Sequence, residues 1–378
     1  MPAHLPPVAI LTSGIGLGVY MPALLIQRQM RARGAEVEVV TLEGLYTAEG
    51  RERHVRHQQA FHTDFALALM GHRMPKGTDS IMDRDAVASL LGAWADRGLR
   101  NFIVWSGFWL PLLESYQQRV GAALALDCCR IDAIVSPSFK VQGALPSGAR
   151  EIWLWSWQER RTVFEIPVDE RPPLPFGQRA RRLVVHGGGW GVGTYLQARE
   201  ALASSDWALD TVVHGREEVV PGRPRDPHGP DDRWFAVAPG WRTWQARGAA
   251  PGFPPFGQMG GPADGHESGF RASPGEHGLF EVIRESKAIV SKPGGGTLID
   301  SLASATPVVL LEPLGEAEAA NGKLWEELGF GVSFARWRQA GFSEALLDEL
   351  HANFLRRPRG GPDYPADYVA RLEGGGLG

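Results

Sequence analysis

The chain of 378 residues has only two cysteines, adjacent at Cys128 and Cys129. Two neighbouring thiols cannot build a disulfide framework, which excludes a disulfide-stapled fold and suits a reducing compartment. No apolar stretch nears the 18 or so residues that a membrane-crossing helix needs. No basic stretch precedes an apolar one at the N-terminus, so a signal peptide is not expected there. Charge of one sign is also scarce: 39 basic against 43 acidic residues give a net charge of −4. That balance offers no electrostatic reason to bind nucleic acid or an anionic membrane surface. Hydrophobic residues at 43% and charged residues at 22% are ordinary for a globular protein. The expectation is a soluble, cytoplasmic protein whose length suits two domains of about 150 residues each or somewhat more.

Glycine, proline and tryptophan are plentiful, at 47, 28 and 13 residues. The first two imply long loops. The opening 45 residues read as a β–α–β unit: an apolar run Val8 to Thr12, a glycine loop from Ser13 to Gly18, a helix from Pro22 to Arg33 closed by Gly34, and a strand from Val37. Arg51 to Met70 reads as a helix, as do 85–98 and the stretch that follows Trp105 through Leu126. Phe102 to Trp105, Ala133 to Val135 and Ile152 to Trp155 read as strands. Pro167, Pro172, Pro173 and Pro175 mark a linker. The pattern then restarts with the strand at Arg182 to Val185, the loop His186 to Gly193 and a helix from Tyr195. The polar stretches 215–233 and 245–276 read as long loops near a cleft mouth rather than as core. The expected layout is a domain over 1–165, a linker over 166–179, a second domain over 180–350, and a segment over 351–378 that packs back on the first domain.

Three glycine-rich loops each follow a strand and precede a helix. Such a junction exposes unpaired N–H groups and the positive end of the helix dipole, and glycine lets a phosphate come close. The dinucleotide fingerprint G-x-G-x-x-G fails in two of them, with Val19 and Val192 standing where its third glycine belongs. No Gly-Lys-Ser/Thr occurs, so the P-loop pattern fails as well. What remains is a phosphate-bearing ligand of another kind in a cleft between two domains.

The stretch SKPGGGTLIDSLASATPVVLLEPLGEAEAANGKLWEELGFG, from Ser291 to Gly331, is the most informative. It resembles the donor-binding motif of GT-B glycosyltransferases, in the branch of the peptidoglycan lipid-intermediate N-acetylglucosaminyltransferase and monogalactosyldiacylglycerol synthase. The resemblance rests on Ser291, Lys292, Gly294, Gly296, Thr297, Asp300, Pro307, Glu318 and Asn321, with HGGGWGVGTY from His186 and the N-terminal loop in support. It implies an α/β protein of GT-B architecture: two Rossmann-like α/β/α domains with parallel sheets facing across a cleft. It also implies an inverting, metal-independent glycosyltransferase moving a sugar from a nucleotide-sugar, UDP by default, to a hydroxyl acceptor. The Ala-, Arg-, Gly- and Pro-heavy composition points to a small natural product as that acceptor, and the resemblance leaves a lipid open.

By the same resemblance Gly294, Gly295, Gly296 and Thr297 hold the diphosphate, with Gly16, Gly18, Gly187, Gly188 and Gly189 beside it. Asp300 takes the ribose hydroxyls, Glu318 and Asn321 face the sugar or phosphates, and Leu279 and Phe280 lie near the base. No cofactor is implied, since the nucleotide-sugar is a substrate. The His that many of these enzymes place three residues before Pro22, as a base, is Val19 here. His57, His62, Asp64 and Glu43 are the substitutes within reach in sequence. His57 and His62 stand roughly 140° apart around one helix and so cannot both face one site. Trp105, Ser106 and Trp109 end a strand where open α/β sheets bind ligands, which makes them candidate acceptor contacts. Two other functions fit the same residues: an epimerase of this fold acting on UDP-N-acetylglucosamine with no acceptor, and a nucleotide-sugar-binding protein without catalysis.

Overall fold

The computed structural model describes residues 5–14, 16–73, 79–219, 231–244, 251–260, 269–357 and 361–375. In the first half, five strands pair in parallel: β1 (Val8–Thr12), β2 (Val37–Thr41), β3 (Asn101–Val104), β4 (Ala125–Arg130) and β5 (Arg150–Trp153), in the order β2-β1-β3-β4-β5. Val8 to Leu11 are wholly buried, as a strand covered by helices on both faces must be. The helix Tyr20–Ala32 follows β1 and turns Leu24, Leu25 and Ile26 into the core. A short ribbon, β6 (Trp155–Ser156) and β7 (Arg161–Thr162), precedes the crossing to the second half.

That half holds β8 (Ala180–His186), β9 (Ala208–Val212), β10 (Arg233–Val237), β11 (Phe256–Met259), β12 (Phe270–Ala272), β13 (Ser286–Ser291), β14 (Val308–Leu310) and β15 (Gly331–Ser333). Their order is β12-β11-β10-β9-β8-β13-β14-β15, and all run parallel except β11, which is antiparallel to both its neighbours near one edge. The last helix, Tyr364–Glu373, lies against Tyr20–Ala32. Tyr364 Oη donates to Asp127 Oδ2 at 3.1 Å, and Arg371 pairs with the same carboxylate.

Several local expectations are corrected. Residues 133–135 form no strand; the strand is β4, which takes in Leu126 and both cysteines. Asp127 and Arg130 hide the pattern of this buried strand, because each is paired by a residue remote in sequence: Arg371 and Glu151. The helix before it stops at Val120, with Gly121 in the left-handed conformation as its cap. The expected helix over 51–70 is two helices, Ala48–Thr63 and Phe65–Arg73, broken at Asp64. Within 245–276, β11 and β12 add to the sheet edge and bury Phe256 and Met259, so this stretch is in part core. Within the two expected loops, residues 220–230, 245–250 and 261–268 lie outside the described residues.

Candidate functional site: three glycine loops on one cleft

In an open parallel sheet a crevice forms where the strand order reverses. In the first sheet that point lies between β1 and β3, and the loop after β1 opens there. In the second it lies between β8 and β13, and the loops after both strands flank it. The three loops meet. A side-chain carbon at Gly296 would lie 3.5 Å from the Gly18 Cα, and one at Gly188 would lie 3.8 Å from Lys292 Nζ. At Gly189 such a carbon would come within 2.6 Å of both Leu17 N and Leu17 Cγ, so only glycine fits. At Gly187 it would strike the Tyr195 ring at 2.7 Å. Gly16, at φ +69°, has open space around it.

The helix Gly295–Ser304 starts directly at the meeting point, with Gly294 before it. Its first N–H groups have no partner within the helix and form an anion-receptive end. Lys292 stands beside it, ion-paired with Glu318, whose other oxygen accepts the Leu314 N–H at 2.6 Å. Lys292 is therefore held in the cleft wall rather than free in solvent. Ser291 is fully buried, its hydroxyl 3.4 Å from His186 Nδ1. The Gly188 N–H donates to the same ring nitrogen at 3.1 Å. Burial drives the His186 imidazole down to about 3, so the ring is neutral and carries its proton on Nε2. Among the described residues that buried N–H has no hydrogen-bond partner.

Asp300 lies in the second turn of the helix from Gly295, and its Oδ1 is 2.9 Å from His277 Nε2. His277 was missed in the sequence. Its place before the helix Gly278–Glu285 is unremarkable, and only the fold brings it to a residue 23 positions on. Phe280 is core, and Leu279 packs against that core.

Asn321 does not face open space, contrary to expectation. It is completely buried and ties the halves together. Its Oδ1 accepts from Ala133 N at 2.7 Å and from Trp155 Nε1 at 3.3 Å. Its Nδ2 donates to Asp132 Oδ1 at 2.8 Å and to Pro293 O at 3.0 Å. The three candidate acceptor contacts are likewise buried. Trp105 belongs to a hydrophobic core that runs through both halves, Ser106 is 4% exposed, and Trp109 packs on Trp94 and donates Nε1–H to Thr12 O at 2.8 Å. A strand end does not open to solvent when a short helical turn folds over it, as Gly107–Trp109 does here.

The candidate bases separate. His57 is exposed and stacks on Phe61. Asp64 accepts the Leu67 N–H at 2.9 Å and so caps the helix Phe65–Arg73. Glu43 is buried under the first loop, accepting from Ser13 Oγ and Gly14 N, each at 2.6 Å. His62 reaches across to the second half, with Nδ1 2.9 Å from Gly191 O and Nε2 2.8 Å from Glu218 Oε1. Both partners accept hydrogen bonds, which favours the form of the ring that carries a proton on each nitrogen. The Glu218 hydrogen bond, against the cost of burial, holds its pKa above the ordinary histidine value. With both nitrogens engaged in this way, the ring offers no free lone pair to an acceptor hydroxyl.

The one Asp-x-Asp of the chain, Asp83-Arg84-Asp85, is likewise local: Asp83 Oδ1 caps the helix Arg84–Asp96 through the Asp85 and Ala86 N–H groups. Among the described residues no group of three or more His, Cys, Asp or Glu is placed to hold a metal ion, and no helix is long and apolar enough to cross a membrane. A cavity of about 250 Å³ lies away from the loops, between the crossing segment Ile166–Val168 and Ile299 and Leu302.

No family model matches the chain, and no curated protein matches it. Its likeness is to solved structures. MurG of Acinetobacter baumannii is 12% identical over 97% of this chain and 99% of that one, at a TM-score of 0.53. The glycosyltransferase SsfS6 of Streptomyces sp. SF2575 is 14% identical over 98% and 100%, at 0.51. UGT89C1 of Arabidopsis thaliana, complexed with UDP, is 12% identical over 97% and 99%, at 0.50. The chain has the GT-B fold of these glycosyltransferases, two Rossmann-like layers whose loops face one cleft.

Proposed function

We propose that the protein transfers a sugar from a nucleoside-diphosphate donor to an acceptor hydroxyl, with inversion at the anomeric carbon and without a metal ion. The observation that carries this reading is the meeting of Gly18, Gly188 and Gly296 around Lys292, at the start of the helix Gly295–Ser304. The diphosphate lies against Gly294 to Thr297, where unpaired N–H groups, the helix dipole and Lys292 meet its charge. Those same groups stabilise the leaving diphosphate as the bond to the sugar breaks, which is the task a metal ion performs elsewhere.

Asp300 takes the ribose hydroxyls. A carboxylate can accept from both hydroxyls of a vicinal diol. His277 Nε2, fixed on Oδ1, orients the group and leaves Oδ2 to the ligand. The acceptor enters from the side of the first sheet, and its oxygen attacks C1 from the face opposite the diphosphate. UDP is the default nucleotide, by likeness to the motif at Ser291 to Gly331, and a small hydroxyl compound is the default acceptor.

The test is to incubate the full chain with UDP-N-acetylglucosamine and with UDP-, dTDP- and GDP-glucose, with and without a panel of phenols and alcohols, and to follow nucleoside diphosphate release. Acceptor-dependent release with a product heavier by one sugar residue supports the reading. Release of a free sugar isomer with no acceptor present points to the epimerase, and binding without turnover to a non-catalytic protein; either contradicts it.

A further inference from the structure

Asp132 belongs to the first half and stands against the glycine loop of the second. It follows β4 by two residues. Both its chain neighbours are fastened across the cleft. A side-chain carbon at Gly295 would come within 2.3 Å of Ile131 Cγ1, and the Ala133 N–H donates to Asn321 Oδ1 at 2.7 Å. Asp132 Oδ1 accepts from Asn321 Nδ2, which also donates to the carbonyl of Pro293, the residue before Gly294. One amide group thus separates this carboxylate from the start of the anion-receptive helix. Among the described residues no donor reaches Oδ2.

We propose that Asp132 is the general base that takes the proton of the acceptor hydroxyl. This rests on the glycosyl transfer proposed above. As the acceptor oxygen attacks C1 of the sugar, its proton passes to Asp132 Oδ2. The C1–O bond to the diphosphate breaks, and its electron pair leaves on the phosphate oxygen. Water then takes the proton from the carboxyl.

Three features support the assignment. His62, His57, Asp64 and Glu43 are each committed elsewhere or exposed, and Val19 offers no base. Asp132 sits at the carboxyl end of a parallel strand beside the cleft, where such sheets place reacting groups. Its carboxyl is also tuned. Burial, with Glu318 adding to it, pushes it up to about 6 against the Asn321 hydrogen bond and Lys292. A base close to the working pH combines the ionised form with a useful driving force. Facing it are Glu318 and Asn321 from the helix Gly315–Glu327 and Lys292 from the end of β13. The rival imidazole is His72, lodged against Gly315 and acted on by Glu318 and Lys292 too, with a buried Nε2 that has no partner among the described residues.

The test compares Asp132→Asn and His72→Gln with wild type on two acceptors, an alkyl alcohol and a phenol already ionised at the assay pH. The amide oxygen of the Asn side chain can still accept from Asn321, so the junction between halves is kept. For Asp132→Asn the expected result is a kcat lower by about 100- to 10,000-fold on the alcohol. The acidic limb near pH 6 is lost, most of the rate returns on the ionised phenol, and the Kd for UDP stays within about twofold. An equal loss on both acceptors makes Asp132 structural and overturns the proposal. So does a wild-type rate in Asp132→Asn, or an acidic limb that survives there and vanishes in His72→Gln. In each of those cases wild type still transfers sugar, and only Asp132 loses its role. If wild type transfers from none of UDP-N-acetylglucosamine and UDP-, dTDP- and GDP-glucose to either acceptor, the glycosyl-transfer reading falls, and the base with it.

Discussion

His62 Nε2 lies 2.8 Å from Glu218 Oε1, and the two residues come from opposite halves of the molecule. Both side chains are nearly enclosed, at 9% and 8% exposure. Glu218 also accepts from Tyr195 Oη at 2.8 Å and from His214 N at 2.8 Å. With its other ring nitrogen on Gly191 O, His62 therefore fastens the helix Ala48–Thr63 onto the second half, at the glycine loop and at Glu218.

This fastening depends on pH in a stated direction. His62 is held above its ordinary value of about 6.5. Its contribution is whole below that value and is lost as pH rises through the raised one. Burial pushes Glu218 up, but hydrogen bonds from His62, His214 N and Tyr195 outweigh it and leave the group below its usual range. Its contribution is whole above the usual carboxylate value and is lost as pH falls through the lowered one. Wild type should lose thermal stability on the alkaline side faster than His62→Gln, with a difference at pH 6 of roughly 1.5–3 kcal/mol, as for a hydrogen bond to a charged group. Melting curves from pH 5 to 9 check this, and parallel curves for the two proteins would refute it.

Gly295 and Gly18 make a contrast. A methyl at Gly295 meets Ile131 Cγ1 at 2.3 Å and the Ile131 carbonyl at 2.8 Å, whereas one at Gly18 meets nothing within 4 Å. Gly295→Ala should destabilise the protein by about 1–3 kcal/mol, as overpacking does, and Gly18→Ala should leave the melting midpoint nearly unchanged. Equal midpoints would mean that the first half does not rest on the glycine loop.

Asn321→Ala should cost more than an average substitution. It leaves the Ala133 N–H, the Trp155 Nε1–H, Asp132 Oδ1 and Pro293 O short of a partner in a buried place. Each orphaned group costs about 1–3 kcal/mol, softened where water enters. Chemical denaturation should show a loss of at least about 2 kcal/mol. A change below about 0.5 kcal/mol would show that the junction is not the hub described.

Asp300→Ala should weaken UDP binding by about 10- to 1,000-fold, the worth of one or two hydrogen bonds to a charged group. His277→Ala should weaken it less, because the carboxylate remains but is no longer oriented. Calorimetric titration measures both. A melting midpoint that falls while UDP affinity per folded molecule stays within about twofold would leave Asp300 with a helix-stabilising role alone.

What could be read in the sequence was local. The strand at Val8, the loop after it and the strand–loop–helix from Ala288 to Ser304 announce themselves within a dozen residues, because apolar runs, glycines and helix starts are neighbours along the chain. The missed features depend on partners far away. The strand Ala125–Arg130 is recognisable only with Arg371 and Glu151 neutralising its charges. Trp105 and Trp109 stand at the right end of the sheet, yet tertiary packing covers them. Asp132 and His277 look like ordinary loop residues until Asn321 and Asp300 come beside them, 189 and 23 positions away. Asn321 matched a motif, but its amide is consumed by the junction between the halves.

The claim at the centre is that a nucleoside diphosphate binds where the three glycine loops meet. Backbone hydrogen exchange of the full chain, with and without UDP, dTDP or GDP, tests it most directly. The expected result is new protection concentrated in Gly294 to Thr297 and Gly187 to Gly189 with at least one of the three nucleotides. No protection with any of them, or protection confined to the cavity beside Ile166 and Leu302, would contradict it.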